Sequence, residues 1–159
     1  MTAIRTAICC LVLLFLPVSL TCAGDIDSHN ELSSGQGALD LLLLRDDSIS
    51  GQWAEVTQIG DNNVTDIAQK GQYNQIFLTQ SGYSNVAVAH QSGDYNYAAI
   101  SQSGAYNQAT LVQNGLDNIA LINQIGNGNS ANIIQNGNGL FGFVAQFGDN
   151  HAVEIVQYD

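Results

Sequence analysis

The chain has 159 residues, of which 14 are acidic and only three are Lys or Arg, for a formal net charge of −11. That balance argues against nucleic acid or an anionic membrane as a direct partner, since both are bound through clustered Lys and Arg. No apolar stretch beyond residue 24 approaches the roughly 20 residues of a membrane-spanning helix; the run Leu41–Leu44 is only four residues long.

Residues 1–23 read as a secretory signal peptide. Arg5 supplies the positive charge, Ala7 to Leu16 the apolar run, and Pro17 its end. Thr21-Cys22-Ala23 provides small residues before a cut ahead of Gly24. A lipid-modified Cys22 fits less well, because Ser19 and Thr21 do not suit it. Cys9, Cys10 and Cys22 all fall in this segment, so the mature chain is exported with no disulfide framework. Pro17 is the only proline, and nothing in the mature chain interrupts a hydrogen-bond ladder. Residues 24–51 read as an irregular acidic leader with one apolar run, Leu39 to Leu44.

From residue 52 a strict period takes over. Glutamine recurs every eleventh residue at Gln58, Gln69, Gln80, Gln91, Gln102, Gln113, Gln124, Gln135, Gln146 and Gln157. Glycine follows two residues later at Gly60, Gly71, Gly82, Gly93, Gly104, Gly115, Gly126, Gly137 and Gly148. Three residues further on stands asparagine, at Asn63, Asn74, Asn85, Asn96, Asn107, Asn118 and Asn129. A fixed short period marks a stacked-repeat architecture.

Within each unit the residues after the asparagine alternate, as in Asn107-Gln108-Ala109-Thr110-Leu111-Val112-Gln113, and a period of two is a strand. Asn, a small residue, an aliphatic residue and Gln occupy one constrained face, while the intervening positions take almost anything. The constrained face is therefore inward. Strands are expected at 53–58, 64–69, 75–80 and onward in steps of eleven to 152–157, joined by short turns whose glycine supplies backbone freedom. Two strands and two turns close a rung of 22 residues. The expected fold is an all-β, two-sheet cross-β solenoid of five rungs: 52–73, 74–95, 96–117, 118–139 and 140–159. Stacking places residue i under i+22, so inward amides can donate to one copy and accept from the next.

The unit Gln-x-Gly-x-x-Asn-x-Ala-x-x-x-Gln, intact from Gln102 to Gln113 and again from Gln80, Gln91 and Gln113, resembles the curlin repeat of bacterial curli, an extracellular functional amyloid. The resemblance covers residues 52–159 and implies a structural fibre subunit. It implies itself and a second curlin subunit as partners, with outer-membrane curli secretion and assembly factors, and a fibre attached to the cell surface that serves adhesion and biofilm matrix. The Gly-rich leader of the major subunit is missing, and Asn30-Glu31-Leu32-Ser33 is similar to the segment before the first repeat of minor, nucleating subunits. The major, fibre-forming subunit is the alternative. This sequence departs from the family at Leu140 and His151, which replace the last-rung asparagines, and at Gly142, which replaces an alanine. The last rung is acidic, with Asp149, Glu154 and Asp159 and no Lys or Arg.

Other classes have less to stand on. His29, His90 and His151 lie too far apart in register to share a metal, and no cofactor is expected. Outward Asp66 and Glu154 are four rungs apart, about 19 Å at ladder spacing and too far for a glycosidase pair. A secreted solenoid acting on polysaccharide or binding a ligand is therefore the distant alternative. Asp61, Asp94, Asp117 and Asp149 sit in turns, either as ordinary turn residues or as gatekeepers against premature stacking. Stacking by 22 also puts Ile119, Leu121, Phe141 and Phe143 side by side, an expected exposed apolar cluster suited to docking.

Overall fold

The structure, a computed structural model, describes residues 51–159. The signal segment, nearly all of the leader and His29 lie outside the described residues. Ten strands follow in order: β1 (Trp53–Asp61), β2 (Val64–Lys70), β3 (Gln75–Tyr83), β4 (Val86–Asp94) and β5 (Tyr97–Ala105), then β6 (Gln108–Leu116), β7 (Ile119–Asn127), β8 (Ser130–Asn136), β9 (Phe141–Phe147) and β10 (Ala152–Tyr158). Odd strands form one five-stranded sheet in the order β1-β3-β5-β7-β9, and even strands the other, β10-β8-β6-β4-β2. Every pairing is parallel and shifted by 22 residues, as in Gln80 beside Gln102 and Gln91 beside Gln113. The expected five-rung solenoid is the fold.

The inward set is buried as its constraint demands. Ile76, Leu78, Ile100, Leu111, Ile122, Ile133 and Val144 interlock with Ala87, Ala98, Ala109, Ala120 and Ala131 in one continuous core. Large residues from one sheet meet small ones from the other, which fills the narrow space between facing sheets about 10 Å apart.

Strand ends depart from expectation. Strands β1 and β3 to β7 are nine residues long because pairing continues through the glycine, with Gly60 beside Gly82 and Asp61 beside Tyr83, while β2 and β8 to β10 are seven residues long. Glycine at φ +100° to +127° turns the chain while the parallel ladder goes on, so the turn is itself stacked. The sharpest bend lies two residues later, in the left-handed region, and is often not glycine: Tyr73, Ser84, Tyr95, Tyr106 and Asp117 have φ of 53–60°. Such residues are uncommon there. Stacked tyrosines support two of these turns, Tyr73 on Tyr95 with ring centres 4.9 Å apart and Tyr83 edge-on to Tyr106 at 5.5 Å.

Candidate functional site

The inward amides form the candidate site, because they run the height of the solenoid and are left open at its ends. Gln58 Nε2 donates to Gln80 Oε1 at 2.6 Å, Gln80 to Gln102, Gln102 to Gln124 and Gln124 to Gln146, the last three at 2.8 Å. The second column, Gln69, Gln91, Gln113, Gln135 and Gln157, is linked the same way at 2.8–3.0 Å. From Gln69 onward each Nε2 also donates across the core to a backbone carbonyl of the opposite sheet, as Gln80 does to Val64 at 3.1 Å and Gln102 to Val86 at 3.0 Å, whereas Gln58 on the first rung donates to the Thr65 hydroxyl at 2.9 Å. That second bond fixes which end of the amide is nitrogen, since a carbonyl cannot face a carbonyl. The columns are therefore polar. All donate toward the C-terminal rung.

The asparagines work differently from a simple amide ladder. Asn74, Asn85, Asn96, Asn107, Asn118 and Asn129 are fully buried at the corners, with Asn63 partly so on the first rung. Each Nδ2 donates to the turn glycine carbonyl of the next rung, from Asn74 to Gly93 at 2.7 Å and from Asn107 to Gly126 at 2.8 Å. Each Oδ1 accepts the backbone N–H of the residue stacked on it, as Asn85 does from Asn107 at 3.1 Å and Asn96 from Asn118 at 3.1 Å. The side chain thus brackets two rungs through their backbones. Leu140 and His151 receive this bracket from Asn118 and Asn129 but have no carbonyl amide to pass it on.

Glycine is required by approach as well as by φ. A Cβ on Gly104 would stand 2.0 Å from the carbonyl oxygen of Gly126. The same clash recurs from Gly60 to Gly126 through both turn columns, at 1.9–2.1 Å. Turn carboxylates have a bonding role too: Asp94 Oδ1 accepts from Gln72 N at 2.8 Å, and Asp149 Oδ1 from Asn127 N at 2.7 Å. Among the described residues no group of three His, Cys, Asp or Glu side chains converges. His90 meets only Asp66, at 3.5 Å on an outer face.

The apolar cluster at the C-terminal end divides. Phe141 and Phe143 are 54% and 39% exposed, but Leu121 is 2% exposed and packs with Tyr97 and Ala99, with Ile119 and Phe77 against them. Leu121 is thus withdrawn from the expected exposed patch, because it belongs to a second, outward hydrophobic cluster on the middle rungs. The sequence held a partial signal for that cluster: Tyr97, Ile119 and Phe141 share one outward column of the odd strands and Phe77, Ala99, Leu121 and Phe143 the next, while the central outward column of the even strands carries Asp66, Thr110 and Asn132.

The model of the Curlin associated repeat matches residues 53–82, 74–104, 96–126 and 126–158. No match was found among curated proteins or among solved structures. No helix among the described residues is long and apolar enough to cross a membrane. Since the four matches together run from Trp53 to Tyr158, and the period they describe is the one that sets the rungs, the chain belongs to the curlin family of curli amyloid subunits.

Proposed function

We propose that this chain is the minor curlin subunit, exported behind its signal peptide to the cell surface, where it nucleates polymerisation of the major subunit. The observation that carries the reading is the match between the two ends. The last rung presents the forward amide donors of Gln146 and Gln157, and the first rung presents the Oε1 acceptors of Gln58 and Gln69. A curlin unit set on either end continues both columns with the same polarity. Partly buried Ala54, Ile67 and Ile155 at the ends of the core would be covered by the same step. The leader segment Asn30-Glu31-Leu32-Ser33 supports the minor rather than the major role. Polymerisation needs no catalysis, and the chain is read as a structural element of the adhesive biofilm matrix and not as an enzyme.

Exposed Phe141 and Phe143 extend the proposal to an outer-membrane assembly factor or the partner curlin, giving the last rung an apolar anchor where it lacks basic residues. The test of the main reading is seeding. Short fibres of this chain at a few per cent should abolish the lag of a major curlin subunit followed by Thioflavin fluorescence. A lag that stays unchanged, with this chain forming fibres on its own, would identify it as the major subunit. A chain that remains monomeric for days at micromolar concentration would refute both.

A further inference from the structure

The glutamine columns fix how a second copy must sit on an open end of the solenoid. Only one step continues both columns, with Gln58 of the next copy after Gln146 and its Gln69 after Gln157. Every residue of the last rung then has a defined neighbour in the first rung of that copy. Gln58 and Gln146 are 88 residues apart, and so are Asp61 and Asp149, and Asp66 and Glu154. Self-stacking therefore sets Asp149 against Asp61 and Glu154 against Asp66.

Within the chain no such contact occurs. Eight acids stand among the described residues, and none has another acid one rung above or below it. Asp61 lies beside Tyr83 and Asp66 beside Val88. Asp149 and Glu154 each follow an amide: Asn127 Nδ2 donates to Asp149 Oδ1 at 3.2 Å, and Asn132 Nδ2 to Glu154 Oε1 at 2.9 Å. The ladder thus shows what suits an acid in these two columns, a side-chain N–H from the rung before it. A joint between two copies supplies a carboxylate instead, at the strand spacing of about 4.8 Å, and like charges directly opposite each other are destabilising. Nothing near the joint offsets them. Lys70, the one Lys or Arg among the described residues, is four residues from Asp66, about 13 Å along the strand. His90 meets Asp66 at 3.5 Å, but from the second rung, on the side away from the joint.

We propose that these four acids make the ends of the chain selective: they disfavour a second copy and fit a curlin rung that carries amide or basic side chains at the same two positions. The proposal rests on the end-to-end stacking of curlin units and names which unit is the better neighbour. A partner whose last rung has asparagine there donates to Asp61 and Asp66 as Asn127 and Asn132 donate to Asp149 and Glu154. The consequence is a chain that enters a fibre singly, among partner units, and rarely in runs of its own.

Extension of each chain on its own preformed seeds, followed by Thioflavin fluorescence, tests this. Asp149→Asn with Glu154→Asn turns every joint into the one proposed with the partner, and should extend about tenfold faster than the parent. Asp61→Asn with Asp66→Asn should do the same. Combining all four changes should add less than about twofold, because either double variant already removes both contacts. Asp94→Asn with Asp117→Asn takes away equal charge far from the joint, and should stay within about twofold of the parent. Equal acceleration by all three double variants, or gains that multiply in the fourfold variant, would make net charge the brake and overturn the proposal. No extension by any of the chains, the parent included, would instead refute end-to-end stacking itself, and the proposal with it.

Discussion

Each ladder glutamine from Gln58 to Gln135 makes two bonds through one nitrogen, and that doubles what its loss removes. Gln102→Ala strips a donor from Gln124 Oε1 and from Val86 O, and leaves Gln80 Nε2 with one acceptor fewer. Buried partners left unsatisfied cost about 1–3 kcal/mol. Gln102→Ala and Gln113→Ala should each lower stability by about that much and lengthen assembly lag, while outward, exposed Gln108→Ala should change either by less than about 0.5 kcal/mol. Chemical denaturation of the three variants decides it, and equal effects would remove the ladder from the account. Glycine gives a second contrast at the same scale. Gly104→Ala meets the Gly126 carbonyl at 2.0 Å, whereas Gly139→Ala has φ +64° and nothing within 4 Å of the added carbon. The latter should cost only the about 1–2 kcal/mol of a left-handed alanine. The former should prevent the rungs from stacking, seen as loss of the β signal in circular dichroism.

The unit of the fold is the rung, and the five rungs are not equivalent. Rungs two to four have both neighbours and carry asparagine at both corners, at Asn74 and Asn85, Asn96 and Asn107, and Asn118 and Asn129. The fifth has Leu140 and His151 there, so the backbone of an incoming rung finds no side-chain acceptor at either corner. The C-terminal end is consequently the weaker stacking surface. Leu140→Asn with His151→Asn should restore two brackets, each a bond of about 0.5–1.5 kcal/mol, and raise the elongation rate on preformed seeds several-fold. Elongation at the parental rate would show that the corners do not limit addition.

A solenoid with a 22-residue register copies its charge as well as its core. Acidic residues outnumber basic ones 14 to three, so subunits that stack head to tail approach against a field of their own sign. Screening falls within about 10 Å at 0.1 M salt and about 30 Å at 0.01 M. Raising sodium chloride from about 10 to 150 mM should therefore shorten the lag several-fold, and a lag indifferent to salt would discount charge as the brake. Attachment is separable from growth at this scale. Phe141→Ser with Phe143→Ser should leave Thioflavin-monitored growth intact and release fibres from cells into the medium, if these exposed rings are the anchor. Full retention on the cell surface would sink that role.

Rung number, register, the inward face and the interior glutamine columns could all be read from the period, because a stacked repeat gives every residue the same neighbours 22 positions away. Gln80 over Gln102 needs no coordinates once the period is known. The details that depend on a second contact could not. The asparagine bracket joins side chain to backbone 19 residues on, a distance set by how the turn folds back and not by the repeat. Strands β1 and β3 to β7 extend through their glycines because parallel pairing survives the bend, which only the backbone angles reveal. Leu121 was legible as outward but not as covered, since exposure depends on what lies over a face and periodicity describes only the face. The sequence by itself determined the ladder, whose interactions are local in register; the tertiary structure decided its polarity, its corners and its unequal sides, because those arise from contacts between positions that the repeat does not relate.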